Sequence, residues 1–88
     1  MSSEDRYVFI VEWYDQQACL IRQYNLTYYL NDNTIDMFDI KNRRIFLKRT
    51  ELPGVSLGDL YIGATVTVYS RQLVIKEYAD LYTRTAFE

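Results

Sequence analysis

No histidine occurs among the 88 residues. That excludes the commonest general base, the usual imidazole metal ligand and any phosphohistidine intermediate. Cysteine appears once, at Cys19, so the chain has neither an internal disulfide nor a thiolate metal site. This fits a reducing, cytoplasmic compartment, and Cys19 itself reads as a small buried hydrophobe. One proline and three glycines leave little room for linkers, and no repeat or low-complexity tract is present. The longest strongly apolar run, Tyr7 to Val11, falls far short of the ~20 residues of a membrane-spanning helix. The polar, acidic start Met1–Arg6 lacks the basic and apolar regions of a secretory signal. Neither a G-x-x-x-x-G-K nor a G-x-G-x-x-G phosphate loop is found, and no cofactor is expected.

What the chain does contain is apolar and aromatic surface. Hydrophobic residues make up 49% and aromatic residues 16%, with nine tyrosines, a composition that folds rather than one that stays disordered. A chain of this size sustains one modest core, burying about 60–68% of its unfolded surface. We expect a flexible stretch over residues 1–5 and a single domain over residues 6–88.

Almost all of it reads as strand. Tyr7–Tyr14 is rich in β-branched and aromatic residues, and Asp15-Gln16-Gln17 turns the chain. From Leu20 the alternation is clean: Leu20, Arg22, Tyr24, Leu26, Tyr28 and Leu30 on one face, Gln23, Asn25 and Thr27 on the other. Asn31-Asp32-Asn33 is a turn of residues that tolerate left-handed backbone, leading into Thr34–Ile40. Lys41-Asn42 turns again before a strand over Arg43–Arg49. Leu52-Pro53-Gly54 breaks the pattern, and Ser56 with Asp59 forms a capped helical turn ended by Gly63. Ala64–Tyr69 alternates once more, Ser70-Arg71 turns, and Gln72–Glu77 follows. Past Ala79 the period becomes helical, with Asp80 as cap and Leu81, Arg84 and Phe87 on neighbouring rows.

The fold class is therefore mainly β. Six to seven antiparallel strands closed by a short C-terminal helix suggest a barrel or sandwich of the pleckstrin-homology kind, with an SH3-like or OB-like barrel as competitor. Phe9, Leu20, Tyr24, Leu26, Val66, Val68 and Leu73 are expected in the core. Tyr28 and Phe38 read as core too, because they alternate with polar residues.

Charge is the least even feature. Lys41, Arg43, Arg44, Lys48 and Arg49 place half of the ten basic residues in ten positions. Outside this segment five basic residues stand against twelve acidic ones, a net of −7 in a chain whose total is −2. The remaining surface repels polyanions, which disfavours nucleic acid, whose affinity comes mainly from phosphate neutralisation. Two readings of the basic segment stay open: a surface for an acidic partner, or an edge strand whose charges prevent pairing with neighbours. Alternation places Ile45 and Leu47 on one face and Phe46 on the other. Trp13 and Tyr14, beside a turn, form a candidate contact patch. Asp32, Asp36 and Asp39 are the closest acidic group. Asp36 and Asp39 differ in strand parity, so a solvated turn explains them better than a metal site.

"YVFIVEWYD" (Tyr7–Asp15), "RQYNLTYYLNDNTIDMFDIKNRRIFLKRT" (Arg22–Thr50) and "LGDLYIGATVTVYSRQLVIKEYADLYT" (Leu57–Thr83) resemble, in this order, the DM-ten domain. The likeness runs from about Arg6 to Phe87 without a large gap. Multi-copy DM-ten proteins of cilia carry a longer Asn-Ser-Gly loop after the third strand, where this chain has only "DIKNRR". The likeness is thus to the copy that precedes two nucleoside diphosphate kinase domains. It implies a pleckstrin-homology-like fold, residence in the axoneme of cilia and flagella, and tubulin or axonemal microtubule-associated proteins as partners. It also implies that any catalytic histidine lies in following domains, so no enzymatic activity is expected here. The resemblance brings no binding motif with it. Lys41, Arg43, Arg44, Lys48, Arg49, Trp13 and Tyr14 are candidates on charge and exposure alone. The alternative function is a phosphoinositide-binding module, against which the acidic and amide first hairpin loop, Asp15-Gln16-Gln17, counts.

Overall fold

A computed structural model describes residues 6–52 and 54–87. The segment expected to be flexible, residues 1–5, and Pro53 of the expected break lie outside the described residues. Six strands, β1 (Arg6–Asp15), β2 (Leu20–Tyr29), β3 (Thr34–Asp39), β4 (Arg44–Glu51), β5 (Thr65–Val68) and β6 (Arg71–Tyr78), precede one helix, α1 (Leu81–Phe87). They form one sheet in the order β4-β3-β2-β1-β6-β5, with every pair antiparallel. A mainly β chain of pleckstrin-homology-like architecture with a C-terminal helix is what the alternation predicts.

The sheet curls into a half-barrel. Three strands separate β4 from β6, yet the Arg71 guanidinium on β6 lies 5.0 Å from the Phe46 ring on β4. The concave face carries the core: Phe9 and Val11 from β1, Tyr24, Leu26 and Tyr28 from β2, Ile35 and Met37 from β3, Val66 and Val68 from β5, and Leu73 and Ile75 from β6. At 25 cal/mol per Å², burying one such side chain contributes roughly 1.5–3 kcal/mol, so this face dominates stability. Leu52, Val55, Leu57 and Leu60, on the segment joining β4 to β5, pack against it across the gap that the two edge strands leave. Within that segment a single 3-10 turn, Leu57–Asp59, is capped as expected, the Asp59 carboxylate accepting from the Ser56 N–H at 3.0 Å.

α1 closes the end of the concave face where β1 begins. Asp80 caps it, accepting from the Thr83 N–H at 2.8 Å. Phe87 packs edge-on against Phe9 and Tyr7 and stacks on Tyr78. Thr83, fully buried, accepts a hydrogen bond from the Val8 N–H at 2.8 Å, giving a strand donor the partner that the sheet does not supply. The inward row is therefore Thr83 and Phe87, one helical turn apart, and Leu81 is 75% exposed.

Four expectations are corrected. Leu20 keeps the parity of Tyr24, but it pairs with Asp15 at the hairpin tip, beyond the last packed layer, and is exposed. Phe38 follows the inward Met37 and so faces the convex side. Strict alternation in β4 fails because two β-bulges interrupt the β3–β4 register, which passes from Ile35↔Thr50 through Met37↔Leu47 to Phe38↔Ile45. Phe46 is thereby turned onto the buried Tyr24, ring centroids 4.5 Å apart, while Ile45 is left outside. Cys19 is exposed in the first hairpin turn at φ 55°, not buried.

β4 is fastened at its far end by Arg49. Its guanidinium lies 3.7 Å above the Tyr29 ring, donates to Thr34 Oγ1 at 2.8 Å and pairs with Asp32 at 3.1 Å. The Tyr29 hydroxyl in turn donates to Asp36 at 2.6 Å. Burial first, and then that carboxylate, push the Tyr29 phenol up to about 12.

Two outcomes follow from these contacts. Thr83→Val keeps the shape but strands the Val8 N–H, and should lower stability by about 1–3 kcal/mol in urea unfolding. An unchanged midpoint would refute the role given to Thr83. The folded state favours the neutral Tyr29 phenol, so its contribution is whole below pH ~10 and disappears as pH rises toward 12. The stability difference between the parent and Tyr29→Phe should accordingly shrink over that interval, as followed by denaturation at stepped pH.

Candidate functional site

β4 is an edge of the sheet, and the turn before it projects from the end where β1 stops. Asp39 shapes that turn. Its carboxylate accepts from the Asn42 N–H at 3.1 Å and from the Asn42 side-chain amide at 2.8 Å, while the Arg43 N–H donates to the Asp39 carbonyl. These bonds hold the Asp39 carboxyl below the usual carboxylate range, Asn42 being the main cause. Arg43 takes left-handed backbone, φ 56°, to complete the reversal.

Lys41, Arg43, Arg44, Lys48 and Arg49 are all exposed, as charge patterning predicts. They are not equivalent. Arg49 is committed to Tyr29, Thr34 and Asp32 and serves the attachment of β4. Arg44 pairs across the ladder with Asp39 and leans toward the concave side. Among the described residues, Lys41, Arg43 and Lys48 form no ion pair within 4 Å. Beside them Ile45, 64% exposed, pairs with Phe38, 37% exposed, on the convex face. The strip is thus a short apolar step with free cations on both sides of it. Alternation hid this step, because it assigned Phe38 to the core.

Trp13 and Tyr14 diverge. Tyr14 points outward opposite Ile21, whereas Trp13 shares the inward parity of Phe9 and Val11. Trp13 lines an open cleft of about 550 Å³ at the end of the concave face, above Tyr24. Arg22, from β2, pairs with Asp15 at 2.8 Å at its margin and holds the Asp15 carboxyl below its ordinary value. Across it, the Arg71 guanidinium sits between two rings, 4.9 Å from Trp13 and 5.0 Å from Phe46. The sequence reading missed Arg71, assigning it to the turn. The turn is instead Tyr69-Ser70, both at positive φ, and Arg71 opens β6 opposite Val68. A basic residue directly after a two-residue reversal was the signal available.

The described residues hold no group of three or more Asp, Glu or Cys side chains arranged for a metal ion, and no helix among them is long and apolar enough to cross a membrane. What the arrangement offers is recognition: a cationic edge, an exposed apolar step and an arginine-lined cleft at one end of the sheet.

Comparison with known proteins agrees with this architecture. The family described as the nucleoside diphosphate kinase 7 N-terminal PH domain matches residues 1–88. The nucleoside diphosphate kinase homolog 7 proteins of Mus musculus and Rattus norvegicus are each 50% identical over 82 residues, 93% of this chain. The chain spans only 21% of the length of each of these relatives. With its curled sheet, its C-terminal helix and a match along its whole length, the chain belongs to the family of N-terminal pleckstrin-homology domains of nucleoside diphosphate kinase 7.

Proposed function

We propose that this domain is a non-catalytic interaction module that docks its parent, a nucleoside diphosphate kinase 7, on an acidic protein surface. Tubulin of axonemal doublet microtubules, or a protein associated with them in the cilium or flagellum, is the partner proposed. The observation that carries the reading is the edge strand. Lys41, Arg43 and Lys48 lie exposed around Phe38 and Ile45, without a counter-ion among the described residues, on a chain whose remaining charge is strongly negative. A compact positive strip on a negative body orients an approach as well as strengthening it, because the partner repels every other face. The apolar step supplies the desolvated contact that charge alone does not.

The competing reading, that these charges only keep an edge strand from pairing, makes opposite demands. Two of its devices are already in β4, in the form of its bulges, so neutralising the charges there need not lead to association. Charge reversal at Arg43 and Lys48 (Arg43→Glu, Lys48→Glu) should weaken microtubule co-sedimentation by roughly 1–3 kcal/mol with steep salt dependence. Folding should change by at most about 1 kcal/mol, as exposed charges contribute little. Binding of the reversal variant as tight as that of the parent at low salt rules out docking through this strip. Light scattering of the Arg43→Ser, Lys48→Ser variant tests the competitor, which requires self-association. Liposomes containing phosphoinositides form the control arm for a lipid-binding role.

Catalysis is assigned to following domains of the parent. The isolated chain should show no phosphoryl transfer between nucleoside triphosphates and diphosphates, since it has no histidine to carry the group. Turnover that survives repurification would overturn that assignment.

A further inference from the structure

The orphan in this structure is Arg71. Its Nε is buried and has no hydrogen-bond partner, and among the described residues no carboxylate pairs with its guanidinium. A guanidinium has five N–H donors and is always charged. Trp13 and Phe46 lie 4.9 and 5.0 Å from it in cation–π contact, but rings do not satisfy its N–H donors. Arg71 is half-buried, so the cost falls on the one buried donor left without an acceptor, and a cleft that holds such a donor in place is complementary to the missing acceptor.

The surrounding charges say what that partner is. Arg22, Arg44 and Arg71 line the cleft together with Asp15 and Asp39, leaving a net charge of +1. Arg22 is already paired with Asp15, and the charge of Asp39 offsets that of Arg44, its neighbour across the ladder. One positive charge remains, set between two aromatic walls over the buried Tyr24. A phosphate ester with two or more negative charges would face two fixed carboxylates. A single carboxylate, which meets a guanidinium fork with two parallel hydrogen bonds, matches both the charge and the shape.

We propose that this cleft is a carboxylate-binding site, in which Arg71 receives one Asp or Glu side chain of an acidic protein segment held between Trp13 and Phe46. The cleft adjoins the β4 strip and shares Arg44, Ile45 and Phe46 with that strand, but the cations Lys41, Arg43 and Lys48 do not line it. It stands or falls independently of docking on microtubules.

Trp13 is the only tryptophan in the chain and lies 4.9 Å from the Arg71 guanidinium, so its fluorescence reports on the cleft. The chain is titrated with a hexaglutamate peptide at low salt. Saturable change in Trp13 emission is expected, weakened at least tenfold in Arg71→Gln and kept within about twofold in Lys76→Ser, an exposed cation of β6 that lines neither surface. The Nε–H resonance of Arg71 in the unmodified chain should shift over the same concentrations, a readout that needs no variant to fold. Absence of both responses in the unmodified chain overturns the proposal, and so does a response that Arg71→Gln retains. Inositol 1,4,5-trisphosphate that binds more tightly than the peptide and competes with it would assign the cleft to a lipid headgroup and overturn the carboxylate assignment. Loss of microtubule co-sedimentation in Arg43→Glu, Lys48→Glu with an intact peptide response leaves the cleft assignment standing.

Discussion

A six-stranded antiparallel sheet that curls without closing must hide its concave face, and most of this domain answers that requirement. The buried face of β1, β2, β3 and β6 is continuous, but β4 and β5 do not hydrogen-bond to each other. Three unlike pieces finish the enclosure. The β4–β5 connector lays Leu52, Val55, Leu57 and Leu60 across the gap, α1 covers one end with Phe87 and Thr83, and Arg71 with Trp13 and Phe46 spans the other. Two of these closures are apolar or fully hydrogen-bonded. The third is made by a charge, with a buried Nε–H that no described residue accepts.

The same asymmetry organises the two edges. β5 is four residues long, and its exposed positions are threonines. β4 is long, bulged, basic and fixed by the contacts of Arg49 with Tyr29, Thr34 and Asp32. Arg49 therefore belongs to the architecture, and the cations available for a partner gather toward the turn that leads into β4. Edge and cleft lie at the same end of the sheet, where the loops after β1, β3 and β5 meet.

Much of the fold could be read from the sequence because one physical rule, alternation across a half-buried sheet, governs most positions. Tyr24, Leu26, Val66, Val68, Leu73 and Phe9 obey it and are buried. The strand order, and with it the edge position of β4, does not follow from alternation. The rule fails where geometry departs from a flat ladder. Bulges in β4 turned Phe46 inward, and a hairpin tip that outruns the core left Leu20 without anything to pack on. At the site, the exposure of Lys41, Arg43 and Lys48 was legible from composition, since clustered cations have nowhere else to go. Arg71 was not, because its place depends on two residues more than twenty positions away in sequence: Trp13, brought alongside by the β1–β6 pairing, and Phe46, brought across by the curl of the sheet.

The three glycines lie at positions 54, 58 and 63, all in the connector, and the hairpins receive none. Cys19, Arg43, Tyr69 and Ser70 instead take left-handed backbone, and all four stand at the loop end that carries the cleft. Each such residue gives up roughly 1–2 kcal/mol relative to glycine. Replacement by glycine would relieve the strain and loosen the chain, whereas the residues present keep each reversal stiff and carry side chains onto the rim. The domain thus forgoes a reserve of thermal stability to keep this end rigid, whereas the opposite end makes its left-handed turn with Asn33, φ 57°, a residue type that tolerates that backbone more readily.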